Sequence, residues 1–478
     1  MSCLVILLSL ASSVVSAQSL ALPDFGDPSR QYLSSQDERR LGLSVVRRLR
    51  DRGLLLEDVQ LNEYLNSLGQ RIAAHANYDG TPFTFFWIND SAINAFATPG
   101  GFIGVNAGLF LATRNEDELA GVVAHEIAHV AQRHIARAFA ATQRLALPVA
   151  AAMIASAILA ASTDSDVGRA ALAGTAAAST QRQINFTRAN EQEADRVGTQ
   201  LLARAGFDPN GVAGFFGRLQ QLSGSSANQV PEYLLTHPFP SSRAADTQDR
   251  QAPIRSRSSP RDSKAYYLAK TRLNVLTNTQ TSELVRRFET VLNNGDYKRE
   301  AAERYGYALA LKRAGRYSEA QREINRLRKS DPNNLAFRIE EAELALAQGD
   351  RAQAWRLFED TRALYPDDFT VAMHYGRALA TQGDPHQAQQ ILEPHLRRQG
   401  NNASLHALYA QAAQRTGDTA TTHATLAEYH YLNGELTQAI EQVELGLRDV
   451  TATPYQLARL RAQLKQFREE QNTQGSLP

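Results

Sequence analysis

An α+β domain, mostly helical around a small sheet, followed by an all-α solenoid is the architecture that the sequence predicts. Three observations predict it. A β-rich stretch at residues 82–105 lies between charged segments with helical patterning. Residues 241–262 lose all periodicity and fill with Arg, Ser and Pro, as a linker does. Beyond them the chain reads as helix throughout and repeats every 34 residues.

The first seventeen residues set the compartment. Leu4 to Leu10 form an apolar run, and Val15-Ser16-Ala17 supplies small residues where a signal peptidase cuts. No Lys or Arg precedes Arg30, so the positive start of a signal peptide is missing, which a start codon placed too late would explain. No later stretch reaches the ~20 apolar residues of a membrane span, so export without an anchor is expected. The only cysteine, Cys3, lies in this leader, and the remaining chain forms no disulfide.

Residues 18–240 are the expected first domain. Leu41, Val45 and Leu49 recur at helical spacing within a charged segment. Pro82 to Ile88 is dense in β-formers, and Pro99-Gly100-Gly101 marks a tight turn before Phe102 to Val105. Asn115 to His134 is an amphipathic helix, opened by a capping box of Asn115 with Glu118. A second charged helix covers about Gln183 to Ala205, stopped by Gly206. Between these two helices, residues 145–180 are Ala-rich and apolar. Within them Pro148 to Ala161 is too short to span a bilayer and too apolar for a free loop, which suits a hairpin packed over the site or, second, peripheral contact with a membrane.

Residues 263–478 are the second domain. Gly315, Gly349, Gly383 and Gly417 are each 34 apart, as are Ala308, Ala342, Gly376 and Ala410. Ala320, Ala354 and Ala388 keep the step, and so do Pro332 and Pro366. Small residues where two helices touch, Gly at the turn and Pro at the end make the tetratricopeptide pattern. The repeat decays toward the C-terminus, where Thr422 replaces the small residue and Gly434-Glu435 restarts the turn early. Residues 263–297 suit an N-terminal cap and the chain from Tyr455 a C-terminal one. First-helix side chains Tyr307, Glu341, Tyr375 and Tyr409 are expected to line a groove, and the domain is expected to come free once the linker is cut.

The chemistry lies in His125-Glu126-Ile127-Ala128-His129. Two histidines four apart share a helix face and reach one ion, with Glu126 beside it as general base. Zinc lowers the pKa of a water toward ~7, and Glu126 then only relays its proton to the leaving amine. The surrounding helix is apolar and has little reason to bury three polar groups. Catalytic zinc usually takes three protein ligands. Glu191 and Asp195 share a face of the second helix while Glu193 points elsewhere, so Glu191 as ligand and Asp195 as support for a ligand histidine fit one approach.

The string from Asn115 to His134, with Asn190-Glu191-Gln192-Glu193-Ala194-Asp195-Arg196, resembles the HtpX and CAAX-prenyl-protease family of zinc metallopeptidases. The resemblance implies a zincin-like domain, one Zn2+ per chain, and Glu191 rather than Glu193 as ligand. It also brings in Thr236-His237-Pro238 and Arg243. His237 is then either a fourth ligand that holds the site shut or a stabiliser of the oxyanion. With leader and repeats, the whole chain resembles periplasmic protease–chaperones of Gram-negative bacteria. That likeness implies unfolded or stalled outer-membrane β-barrel proteins as substrates, and the barrel-assembly machinery as partner of the repeats. The rival expectation is a chaperone whose peptidase site stays latent. A formal net charge of +1 argues against nucleic acid as partner. The stretch Ile93 to Val105 is the candidate edge for an extended substrate. His134, five residues after His129, is expected to turn away from the metal.

Overall fold

A computed structural model describes residues 33–78, 80, 82–137, 188–225, 233, 234, 237 and 263–475. The leader, the apolar stretch 145–180, the linker 241–262, Thr236, Pro238 and Arg243 lie outside the described residues.

Helix α1 (Ser35–Asp51) starts where the Ser34 hydroxyl accepts from the Asp37 amide, and buries Leu41, Val45 and Leu49 on one face. Strand β1 (Leu55–Leu56) and helix α2 (Val59–Ala73), capped by Asp58, precede β2 (Thr84–Ile88), β3 (Ala95–Thr98) and β4 (Phe102–Asn106). The strands form one sheet in the order β1-β2-β4-β3, with β2 and β4 parallel and the other pairs antiparallel. Gly100 and Gly101 turn β3 into β4 at φ of 75° and 82°, a region that side chains with a Cβ rarely occupy. The two-residue period of the strands sorts their side chains to opposite faces. Phe86, Ile88 and Phe102 pack under α1, while Phe85, Trp87, Ile103 and Val105 join the larger core with α2. That core also receives α3 (Ala107–Ala112), α4 (Glu116–Ala131), α5 (Arg188–Arg204) and α6 (Gly211–Ser225).

The solenoid runs through α7 (Lys264–Thr277), α8 (Thr281–Asn294), α9 (Glu300–Arg313), α10 (Tyr317–Ser330), α11 (Leu335–Ala347), α12 (Arg351–Leu364), α13 (Phe369–Gln382), α14 (Pro385–Arg398), α15 (Ala403–Thr416), α16 (Thr419–Asn433), α17 (Leu436–Gly446) and α18 (Pro454–Gly475). The 34-residue series falls where helix meets helix, with Ala308, Ala342 and Ala410 buried. Gly315, Gly349 and Gly417 each end a helix in the left-handed conformation, whereas Gly383 does not and is followed by Pro385 at the start of α14. Thr422, at the degenerate position, satisfies its hydroxyl on the Asp418 carbonyl. Helix α18 closes the array by packing Leu460 and Phe467 on Ala420, Ala424 and Ala427. No helix among the described residues is long and apolar enough to cross a membrane.

The expected groove differs at Tyr375. Its ring is buried and stacks on Phe358 at 5.0 Å, and its hydroxyl donates to Glu359. Eight residues before the turn, this position faces the partner helix rather than solvent. Glu341 is tied to Arg328 at 2.8 Å.

The two halves share an element. Helix α7 gives Tyr266, Ala269 and Leu273 to the core of the first domain, and Leu268 and Val275 to that of the solenoid. From the same helix, the Arg272 guanidinium donates twice to Asp58, the cap of α2, at 2.8 Å, and once to buried Glu340 of α11 at 2.8 Å. The far end of the solenoid returns to α1, where Arg47 lies over the Tyr431 ring and Arg50 donates to the Leu432 carbonyl. A separable tail is therefore not what the packing provides, because a helix common to two cores cannot leave either cheaply.

Cleavage anywhere in 241–262 should leave two fragments that co-elute in native size exclusion and part only in denaturant. Arg272→Leu should cost about 3–5 kcal/mol, the usual consequence of stranding buried carboxylates, read as a lower urea midpoint. Burial pushes the Asp58 pKa up, but Arg272 outweighs it and holds the carboxyl below its ordinary value. A depressed carboxyl stabilises above its unfolded pKa of about 4 and loses that contribution as pH falls through the folded value. The gap between wild type and Arg272→Leu should accordingly narrow under acid.

Candidate metal centre

Helix α4 begins with Asn115 accepting the Glu118 amide at 2.9 Å. Glu118 in return accepts the Arg114 amide at 2.6 Å, so the capping box closes one residue earlier than its usual form. Glu118 also takes the guanidinium of Arg218 from α6. Every residue of the helix from Glu116 to Val130 is buried. Against it lies α5, drawn close because Gly198 has no side chain; a Cβ there would stand 3.2 Å from Ala124 and His125 backbone atoms. This approach brings Glu191 and Asp195 onto the histidine face of α4.

Four donors converge. The Nε2 atoms of His125 and His129 are 2.9 Å apart, and Glu191 oxygens stand 3.5 Å from each. His237 Nδ1 is 3.4 Å from His125 Nε2 and 3.2 Å from Glu191. All four ligand atoms lie within 4.8 Å of one another on fully buried residues. Zinc–nitrogen bonds of ~2.0–2.1 Å place tetrahedral donors about 3.3 Å apart. The observed spacings fit such an ion.

The buried charges are matched to one another. Burial works to raise the Glu191 pKa, but His237, His125 and His129 together hold the carboxyl well below its ordinary range. Burial works to lower the His125 pKa, and Asp195 and Glu191 reverse that, lifting it to about 10. His129 moves the other way, well down, through burial and the neighbouring His125. The Glu191 carboxylate in this dry site favours a positive charge beside it, carried by the His125 imidazolium or, in its place, by a metal cation on which the imidazole lone pairs would converge.

Each histidine is supported from behind. His125 Nδ1 is 3.1 Å from Asp195, the placement the i, i+4 spacing suggested. His134 stays outside the four donors, as expected, but it is not an idle helix end, because its Nδ1 is 2.8 Å from His129 Nδ1. His134 Nε2 reaches Glu193 at 3.2 Å. Burial drops the His134 pKa to about 4, against the pull of Glu193, so the ring is neutral near pH 7. Glu193 faces away from the four donors as the spacing required, yet it holds one of their neighbours.

Sequence reading also missed Tyr233. Its hydroxyl donates to Glu126 Oε1 at 3.2 Å, and its pKa is pushed well above normal by burial and then by Glu126. Its amide donates to the Ile93 carbonyl, and its own carbonyl accepts the His237 amide at 2.8 Å. One turn thus ties His237, the Glu126 carboxylate and the start of β3 together. A tyrosine four residues before the motif histidine was the only signal available. His237 Nε2 stands 3.6 Å from the same Glu126 oxygen. Beside this site, β3 lies at one end of the sheet and packs on α4.

Comparison with known proteins agrees with this arrangement. The model for peptidase family M48 matches residues 59–251, and a tetratricopeptide-repeat model matches 345–412. The beta-barrel assembly-enhancing protease of Escherichia coli K12 is 36% identical over 450 residues, covering 94% of this chain and 92% of that one. Its counterpart in Yersinia pestis is 34% identical, covering 95% and 94%. The mitochondrial metalloendopeptidase OMA1 of Arabidopsis thaliana is 28% identical over 38% of this chain and 35% of its own length.

Proposed function

The chain belongs to the beta-barrel assembly-enhancing protease family, and on that premise we propose that His125, His129 and Glu191 hold one zinc ion for endoproteolysis with Glu126 as general base. The chain is a metallopeptidase that assists outer-membrane protein assembly. The convergence of four buried donors from α4, α5 and the Tyr233–His237 turn carries the reading. When bound, the ion acts as a Lewis acid on the scissile carbonyl and lowers the pKa of the attacking water.

The chain's own groups divide the remaining work. Glu126 takes the proton of the attacking water and passes it to the leaving amine as the C–N bond breaks. Asp195 orients His125. An extended substrate adds to β3, whose outer backbone groups pair with it irrespective of sequence. Misassembled or stalled β-barrel strands suit such an edge. The exported protein works in the periplasm, and its solenoid meets the barrel-assembly machinery.

His237 is the fourth donor of a resting state, because its Nδ1 stands at hydrogen-bonding distance from Glu191 and near His125, where the open position of a catalytic site belongs. Its ring has to leave before a substrate carbonyl can enter, which makes the closed form one side of a two-state equilibrium. The second reading, a chaperone whose peptidase site is chiefly latent, draws on this same occupancy.

Mature protein should hold one zinc per chain by metal analysis. His125→Ala or His129→Ala should abolish it, Glu191→Ala should weaken it strongly, and Glu193→Ala much less. Stoichiometric zinc in the double histidine variant would remove the site. Glu126→Gln should keep zinc and lose cleavage of an unfolded outer-membrane protein. His237→Ala should raise basal cleavage; a fall of ~10²–10³, the effect of a lost oxyanion donor, would instead assign it that role.

A further inference from the structure

Helix α4 ends at Ala131, and a continuing helix would carry residue 134 about 140° around the axis from His129. The chain does something else. Gln132 caps the helix, and Arg133 adopts φ of 51°, a left-handed conformation uncommon outside glycine. Arg133 is pinned there, its guanidinium donating to the Leu33 carbonyl at 2.8 Å and to Glu38 at 3.1 Å. The reversal folds His134 back against His129, with ring centroids 4.8 Å apart and planes at 77°. His134 is wholly buried. The same short turn places Arg137 where it donates to Glu193 at 2.8 Å.

Two imidazole nitrogens 2.8 Å apart form a hydrogen bond only if one carries a proton and the other a lone pair. His129 offers a lone pair at Nε2 to the donor cluster only when its proton is on Nδ1. The His129 Nδ1–H then donates to His134 Nδ1, which leaves the His134 Nε2–H to donate to Glu193. We infer that His134, with Glu193 and Arg137 behind it, is a positioning residue that fixes the ring orientation and tautomer of His129. This rests on the reading of His129 as a ligand. Helix α5 thereby supports both ligand histidines, Asp195 directly on His125 and Glu193 through His134 on His129. The backbone at Arg133 is the device that makes the second support reach.

The test uses the full mature chain. The zinc dissociation constant is measured by competition with a chromophoric chelator, and the metal-free unfolding midpoint by heating. His134→Leu should weaken zinc binding ~10–100-fold, the usual loss when the partner of a ligand histidine is removed. His134→Asn, whose carboxamide oxygen can accept where Nδ1 did, should recover most of that loss. Glu193→Gln, altered at a partly exposed side chain, should lose affinity by a smaller factor with an unchanged midpoint, and stays informative if the leucine variant does not fold. Wild-type affinity in His134→Leu and Glu193→Gln would overturn the inference. So would equal losses in the leucine and asparagine variants with lowered midpoints, since His134 would then be packing alone. His125→Ala is the control: undiminished zinc there would instead defeat the metal reading itself.

Discussion

Burying imidazoles and carboxylates together is the constraint on which the peptidase half depends. His125, Glu126, His129, Glu191 and His237 are all shielded from solvent, and Asp195 nearly so. Isolated charges in such surroundings are unfavourable by many kcal/mol, so each group has to be matched to another or to an ion. The surrounding structure supplies those matches. Gly198 lets α5 close on α4, Tyr233 takes a Glu126 oxygen, and the turn at Arg133 returns His134 to His129. Removing any one of these would weaken the matching of a buried charged or polar group.

The same logic joins the two halves. Arg272 leaves the solenoid's first helix to meet Asp58, and Asp58 is also the residue that caps α2. Glu340 closes the pair from α11, and Lys312 closes Glu340 in turn. A buried chain of alternating charges fixes where the solenoid lies against the domain that carries the site. Because α2 packs on β2 and α4, a displacement of the solenoid there has a route into the core beneath the histidine face of α4. The Arg47 and Arg50 contacts at the other end make the attachment two-pointed, which resists rocking more than either end alone.

The candidate ligand set illustrates how far pattern reaches. His125 and His129 were legible because helix geometry makes residues four apart neighbours, whatever surrounds them. Asp195 beside His125 followed from Glu191 by the same rule. Glu191 over Glu193 was not settled by spacing alone; family resemblance selected it, and the structure places Glu191 among the donors and Glu193 outside them. His237 also entered through resemblance, since a loop histidine before proline carries no periodicity. Tyr375 shows the opposite failure, where correct repeat register gave an incorrect exposure because its ring stacks on Phe358 of the facing helix.

The sequence by itself determined whatever repeats locally: the helix carrying the two histidines, the alternating strands, the glycine hairpin and the 34-residue solenoid. Those features depend on residues within a few turns of each other, and their period survives in one dimension. Only the tertiary structure decided what lies behind the candidate ligands and between the domains. His134 returns to His129 because a non-glycine residue is held at positive φ by a glutamate ninety-five positions earlier. Arg272 finds Asp58 across 214 positions, and α7 belongs to two cores at once. Contacts of that kind are chosen by which surfaces meet when the chain packs, and no local period records them.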